Sequence, residues 1–343
     1  MKVTGLYVYP IKSLRGISLT EAVLQKEGLK HDRKFLLCHV QPDCSLKKVQ
    51  VNKYPQCSRF VQTIVNDSIH VRYEAPDEPL LPPSPLHTQV LEVPLQPALS
   101  TLEKCDVNLH QSLVKAYRVG SHYDAWFSAC LGFDATLFYI GDGRRPVLGT
   151  FAPRTQNSAP TGGLLSTLAS YVQGTQKAPE PYWLAFSDCA PYLITTEASL
   201  RHVSGRMNGA TAQMHKFRPN IVVDGEDEWD EDFWGELAVN GRPMLEMTKL
   251  CARCVSINVD YDTGRMGAGE DGKLLKLLSS DRRVDPGCKY SPVFGRYGFL
   301  VEGVQEADMA IGDEVAVTKR VEERSVNDWP IKDATKARFY NQS

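Results

Sequence analysis

Five short runs of alternating apolar and polar residues crowd the first 75 positions, at 3–9, within 17–27, and at 34–40, 60–65 and 68–73. Pro10, Gly16, Gly28, Pro42, Asn66 and Pro76 separate them. Runs this short with a period of two predict strands, and strands this closely spaced predict a barrel or a strongly bent sheet. Residues 74–97 then carry Pro76, Pro79, Pro82, Pro83, Pro85, Pro94 and Pro97. Proline cannot donate to a ladder, so this stretch is expected to be a surface excursion around an edge strand.

Helical signals are few. Residues 123–131 have helical spacing of apolar side chains, with Gly132 placed to end the helix. A strand is expected at 135–140. Residues 142–178 are rich in Gly, Ser, Thr and Pro, with one short helix expected at 164–172, and read as an inter-domain or lid segment. The second half reads as a strand at 182–186, a helix at 196–203 capped by Thr195 or Thr196, and strands at 220–223, 236–239, 244–249 and 255–260. A basic helix at 273–278 and strands at 297–301 and 314–317 complete it. The fold class is therefore mixed α+β and mainly β. Its expected units are 1–142, a connecting segment 143–178, 179–318, and a polar extension 319–343 with no evident role.

Charge and composition narrow the function. The 343 residues carry 39 Lys and Arg against 41 Asp and Glu, a net charge of −2. A general nucleic-acid binder needs a basic footprint, so nucleic acid is not an expected partner. No run approaches about 18 apolar residues, so no integral membrane segment is expected. The first residues carry neither an apolar signal core nor an Arg- and Ser-rich presequence. The expected compartment is the cytoplasm, with a mitochondrial, surface-associated location as the alternative. Nine cysteines, mostly scattered, fit reduced thiols better than a disulfide framework.

Only Cys251 and Cys254 are closely paired, in Cys251-Ala252-Arg253-Cys254. A structural zinc site would need two more ligands, and there is no second CxxC and no H-x₃₋₅-H. A redox dithiol normally opens a helix, whereas residues 255–259 read as strand. A thiolate for a soft metal remains open, as does a pair of buried structural cysteines. Arg253 would stabilise a thiolate and offers a fork to an anion.

Basic residues recur in turns: Lys12 and Ser13 after the first strand, Arg33 before the third, and Arg218 with Asn220 before another. Taken singly, each reads as a solvated rim charge. Asp188, on what reads as a tight strand-to-helix connection, is by itself a turn or cap residue.

Taken together these segments resemble a known family. Tyr-Pro-Ile-Lys-Ser at 9–13, Asp-Arg at 32–33, Phe-Ser-Asp at 186–188, Phe-Arg-Pro-Asn-Ile at 217–221, Cys-Ala-Arg-Cys at 251–254 and Asp-Tyr-Asp-Thr-Gly at 260–264 occur in the order found in the MOSC family. Asp285-Pro286 and Ser-Pro-Val-Phe-Gly at 291–295 extend the match, which covers about residues 1–317. The chain resembles the branch that holds the mitochondrial amidoxime reducing component, and no segment here matches the membrane anchor of its animal members.

The resemblance implies an N-terminal β-barrel domain packed on a MOSC β-barrel domain with peripheral helices. It also implies a molybdenum cofactor, with Cys254 as protein ligand to the metal and Cys251 behind it. Pterin and phosphate contacts carry over to Lys12, Ser13, Arg33, Arg218, Asn220 and Arg253, and Asp188 matches an aspartate near the metal. The implied activity is two-electron reduction of small N-hydroxylated compounds, amidoximes and hydroxylamines. The one G-x-G-x-x-G, at 267–272, follows no expected strand, so the resemblance implies electrons from a b-type cytochrome and that cytochrome's flavin-dependent NADH reductase. The alternative is a carrier of the cofactor or of sulfur, with a persulfide on Cys254 and no turnover. Pyridoxal phosphate, which belongs to the desulfurase domain of MOSC-containing sulfurases, has no Schiff-base lysine context here. Cys189-Ala190 after Asp188, and Arg296 where relatives often have Gln, depart from the family pattern.

Overall fold

A register shift between Val3 and Gly5 turns Val3 to the same side as Leu6 and Val8, and all three enter one core. A computed structural model gives this fold and describes residues 1–153, 181–225 and 227–329. The helix expected at 164–172 and most of the connecting segment lie outside the described residues. The chain is mainly β, with three α-helices among the described residues: α1 Ser121–Leu131, α2 Glu197–Ser204 and α3 Leu274–Ser279.

The main sheet has eight strands in the spatial order Ile17–Leu19, Val3–Val8, Ile221–Val223, Tyr192–Thr196, Val293–Leu300, Arg242–Ala252, Trp234–Val239 and Val315–Arg320. The first strands of the chain thus pair inside a sheet built by its second half. Tyr192–Thr196 and Ile221–Val223 run parallel, and the crossover between them carries α2. Glu21–Gln25 also joins the far end of the chain, pairing with Glu306–Ala310. The barrel half combines a five-stranded sheet, in which Ala135–Tyr139 pairs with Phe35–Val40, with the three-stranded meander Phe60–Val65, Ser68–Tyr73 and Leu91–Pro94. α1 closes this half by setting Trp126 and Phe127 against Phe60, with ring centroids 5.8 Å apart in each case. Gly132 ends α1 at φ 80°, the left-handed cap that its sequence position foretold. The last strand of the meander is an edge strand within the proline-rich excursion.

Three local expectations are corrected. Residues 255–260 do not continue as a strand: Val255–Asn258 is a 3₁₀ turn, followed only by the two-residue strand Val259–Asp260. The Asn258 side chain causes the break, donating to Gly272 O (2.7 Å) and accepting from Leu275 N (2.8 Å). The strand expected at 182–186 shrinks to Trp183–Leu184, because Phe186 N leaves the ladder to bond Arg33 O at 3.0 Å. Asp188 consequently lies between two strands, with α2 starting only at Glu197. Thr196 caps α2, its hydroxyl accepting from Ser199 N at 3.1 Å.

Residues 321–329 lie across the main sheet. Arg324 pairs with buried Asp232 at 2.7 Å, Ser325 Oγ accepts from Leu250 N at 3.0 Å, and Trp329 packs on Leu148 and Phe151. Beside Asp232, Glu231 is fully buried and accepts hydrogen bonds from Ser199 Oγ (2.9 Å) and Thr196 Oγ1 (3.3 Å). Burial, only partly offset by the Ser199 bond, raises its pKa to about 7. A carboxyl with a raised folded pKa stabilises the fold fully below its unfolded pKa, about 4.5, and loses that contribution as pH rises through about 7. Glu231→Gln, which mimics the protonated acid, is therefore expected to raise the melting temperature relative to wild type more at pH 8 than at pH 5. Equal shifts at both pH values would show that Glu231 is not held protonated.

Candidate functional site

Lys12, Ser13, Arg33, Asp188, Arg218, Asn220, Arg253 and Cys254 all line one cleft. It consists of two adjoining hollows of about 660 and 500 Å³, which share Arg33, Asp188, Arg218, Cys254 and Ser256. Its walls come from the ends of strands in both halves of the chain.

Three of these residues sit at left-handed backbone positions that disfavour side chains: Ser13 (φ 76°), Arg33 (φ 46°) and Arg218 (φ 55°). Each is held by neighbours. The Ser13 hydroxyl donates to Val49 O at 2.8 Å, Arg33 N bonds Tyr9 O at 2.9 Å, and Arg218 N closes the 3₁₀ turn Met214–Phe217 onto His215 O at 3.2 Å. The Arg33 guanidinium bonds Asp32 Oδ2 (2.6 Å), Asn220 Oδ1 (3.0 Å) and Arg218 O (3.3 Å), while Arg218 Nη1 donates to Leu14 O (2.8 Å). Both guanidinium carbons lie over the ring of buried Tyr9, at 4.2 and 4.4 Å. Asp32, 1% exposed, also accepts from Tyr9 N at 2.9 Å.

Arg253 N bonds Pro292 O at 2.8 Å and its Nε donates to Phe294 O at 3.0 Å, with the guanidinium 5.3 Å from the Phe217 ring. Its Nη2 is buried without a hydrogen-bond partner among the described residues. The two cysteines of the motif part company here. Cys251 is buried, its thiol donating to Tyr297 OH at 3.1 Å, and burial raises its pKa despite the nearby Arg253. Cys254 is exposed at the start of the 3₁₀ turn, 3.2 Å from Ser256 Oγ. Among the described residues no three His, Cys, Asp or Glu side chains are grouped to hold a metal ion.

Asp188 opens onto the cleft with 51% of its side chain exposed. Lys12 Nζ (2.6 Å) and His110 Nε2 (2.7 Å) both meet its Oδ1. Desolvation pushes its pKa up, but the Lys12 charge and the His110 hydrogen bond outweigh that and hold it well below the usual carboxylate range. Burial lowers Lys12 to about 8 against the pull of Asp188. The loop itself is clamped by fully buried Arg145, which donates to the carbonyls of Ala185 (3.2 Å), Ser187 and Asp188 (3.1 Å).

Sequence reasoning missed five contributors: His110, Lys48, Arg145, Tyr297 and Lys216. None belongs to a motif, although Lys216 directly precedes the Phe-Arg-Pro-Asn-Ile run and lines the cleft beside it. Tyr9 and Asp32 stood within motifs but were not read as supports. Arg296 bonds the carbonyl of Asp232 and does not line the cleft, whereas Ala190 does.

Residues 1–134 match the MOSC N-terminal beta barrel domain and residues 181–316 the MOSC domain. Mitochondrial amidoxime reducing component 2 of Macaca fascicularis is 30% identical over 320 residues, covering 91% of this chain and 82% of that protein. The chain belongs to the MOSC family. The same-named protein of Rattus norvegicus is 29% identical over 322 residues, again covering 91% and 82%. A molybdenum cofactor sulfurase of Solanum lycopersicum is 22% identical over 273 residues, 77% of this chain but only 29% of that longer protein. A MOSC function tied to the molybdenum cofactor follows for this chain.

The buried Asp32–Arg33 pair anchors one wall of this MOSC cleft. Removing the carboxylate strands both the Arg33 charge and Tyr9 N, so Asp32→Ala is expected to cost about 3–5 kcal/mol in urea unfolding. Asp32→Asn, which keeps an acceptor, should cost less. An Asp32→Ala midpoint equal to wild type would remove the pair from the scaffold.

Proposed function

We propose that this MOSC protein is a molybdenum-cofactor-dependent reductase of N-hydroxylated compounds, with Cys254 as the protein ligand to the metal. The observation that carries this reading is the convergence of an exposed thiol with Lys12, Arg33, Arg218 and Arg253, from distant parts of the chain, on one cleft. The donor set fits the group. A thiolate suits a soft, sulfur-held metal, and the unpartnered Arg253 Nη2 calls for an anionic acceptor such as a pterin phosphate. When bound, the cofactor supplies the two-electron reduction of the N–O bond, which with two protons yields amine and water.

The chain's own residues do the rest. Lys12, Arg33, Arg218 and Arg253 hold negative charge, while Ser13 and Asn220 bring neutral polar groups beside them. Asp188, kept ionised, accepts an N–H or O–H from the substrate. Electrons come from a b-type cytochrome served by a flavin-dependent NADH reductase. The relatives' names carry the word mitochondrial, which favours the surface-associated alternative over the cytoplasm. Among the described residues no helix is long and apolar enough to cross a membrane.

The test is molybdenum by inductively coupled plasma mass spectrometry on protein from a host that makes the cofactor, followed by benzamidoxime reduction with reconstituted donors. Near-stoichiometric metal and turnover are expected. Folded protein without metal would overturn the reading in favour of the carrier, with a persulfide on Cys254 visible by intact mass. Cys254→Ser should abolish metal-dependent turnover, whereas Cys251→Ser should leave much of it. Complete loss in both, with folding intact, would exclude a single thiolate ligand.

Arg33→Ala and Arg218→Ala should each weaken cofactor retention by about 1.5–3 kcal/mol per charged hydrogen bond, measured as metal and pterin left after dialysis. Wild-type retention in the double variant would take both residues out of the phosphate site.

A further inference from the structure

His110 and Gln111 form the two-residue turn between the strands Glu103–Leu109 and Ser112–Arg118. Both are left-handed, at φ 56° and 68°, in a hairpin geometry that favours Asn-Gly. A non-glycine residue in this backbone region is costly and persists where the surrounding contacts hold it. The imidazole bridges two groups far away in sequence: Lys48 Nζ lies 2.9 Å from Nδ1, and Asp188 Oδ1 lies 2.7 Å from Nε2.

The donor inventory settles the tautomer. A lysine ammonium only donates, so Nδ1 must accept, and the ring proton must reside on Nε2, where it donates to the carboxylate. Asp188 Oδ1 then receives two hydrogen bonds, from His110 and Lys12. Its Oδ2 receives none among the described residues, on a side chain half open to the cleft.

We propose that His110, fixed in its Nε2–H form by Lys48, is a positioning residue that turns Asp188 so that Oδ2 accepts the N–H or N–OH of an N-hydroxylated substrate. This rests on the reductase reading above. Held by Lys12 alone, the carboxylate could rotate about its Cβ–Cγ bond; two donors on one oxygen fix its plane and present the other. Burial of His110 lowers its pKa, opposed by Asp188 and reinforced by the Lys12 and Lys48 charges, which keeps the ring neutral. Protonation would set a second donor against Lys48 and break the bridge.

Two measurements test the assignment. Nitrogen-15 spectra of imidazole-labelled, full-length protein, with His110 assigned by its loss in His110→Phe, should show the Nε2–H tautomer from about pH 6 to 8. Lys48→Met should turn that signal into a tautomer mixture. In the molybdenum-loaded protein, His110→Phe should raise KM for benzamidoxime about tenfold while kcat changes less than about threefold. His110→Gln, whose amide can donate to Asp188 and accept from Lys48, should keep KM within about threefold of wild type.

An Nδ1–H tautomer in the wild type, or an unmoved KM in His110→Phe, overturns this proposal alone. Equal loss of kcat and melting temperature in both variants, with KM unchanged, also overturns it and makes the histidine merely structural. Metal-loaded wild-type protein that reduces no N-hydroxylated compound overturns the reductase reading itself, and this contact with it.

Discussion

Like charges crowded into one cleft are the constraint to which the rest of the structure answers. Lys12, Arg33, Arg218 and Arg253 line a shared space, and the carboxylates paired with them are Asp32 and Asp188. Much of the remaining stabilisation comes from neutral acceptors. The carbonyls of Leu14, Phe186, Arg218 and Phe294 take guanidinium or ammonium protons, and the Tyr9 ring lies under two of the guanidiniums. Carbonyl dipoles and ring faces steady a cation without cancelling its charge, so the positive field stays available to a ligand. Ion pairs throughout would have given a rigid wall with little attraction left for an anion.

That arrangement needs backbone from remote parts of the chain brought edge to edge, and the sheet order supplies it. Val3–Val8 pairs with Ile221–Val223, which sets the turn carrying Lys12 and Ser13 beside the turn carrying Arg218 and Asn220. Arg33 N bonds Tyr9 O, and Phe186 N bonds Arg33 O, so three chain segments are stitched in series by main-chain hydrogen bonds. Left-handed residues at Ser13, Arg33 and Arg218 are the local cost of turning each chain sharply enough for its side chain to face inward. The cross-links on either side hold those turns in place.

The strands and the cleft's charged residues were legible in sequence to different depths. Phe60–Val65 and Ser68–Tyr73 fall where their alternation puts them, because each strand has one buried face and a one-residue slip would reverse it. The turn after Cys254 was not legible, because it is set by Asn258 bonding to Gly272 and Leu275, contacts that only the folded chain creates. The eight cleft residues could be named from motif order, but taken singly the basic turn residues read as rim charges, Asp188 as a turn or cap residue, and Cys254 as either a soft-metal thiolate or a structural cysteine. Lys48, His110 and Arg145 had no such handle: Lys48 and His110 reach the site from a strand and a hairpin in the barrel half, Arg145 from the short strand Arg145–Pro146 paired with Trp183–Leu184, and nothing local marks a residue whose partner is remote in sequence.

The two motif cysteines show how a strand end converts equivalent residues into different ones. Arg242–Ala252 pairs with Val293–Leu300 up to Ala252 and Val293, so Cys251, at the register shift between Leu250 and Ala252, stays within the strand, buried with its thiol on Tyr297. Arg253 N makes the last cross-link, to Pro292 O, and the chain then turns. Cys254 falls just past that link, with its thiol beside the Ser256 hydroxyl. Had the strand run on through residue 255, as alternation alone suggests, alternation would have committed residue 254 to one face of the sheet. The chemistry open to Cys254 therefore depends on where the ladder stops, and Asn258, outside the motif, helps to fix that point.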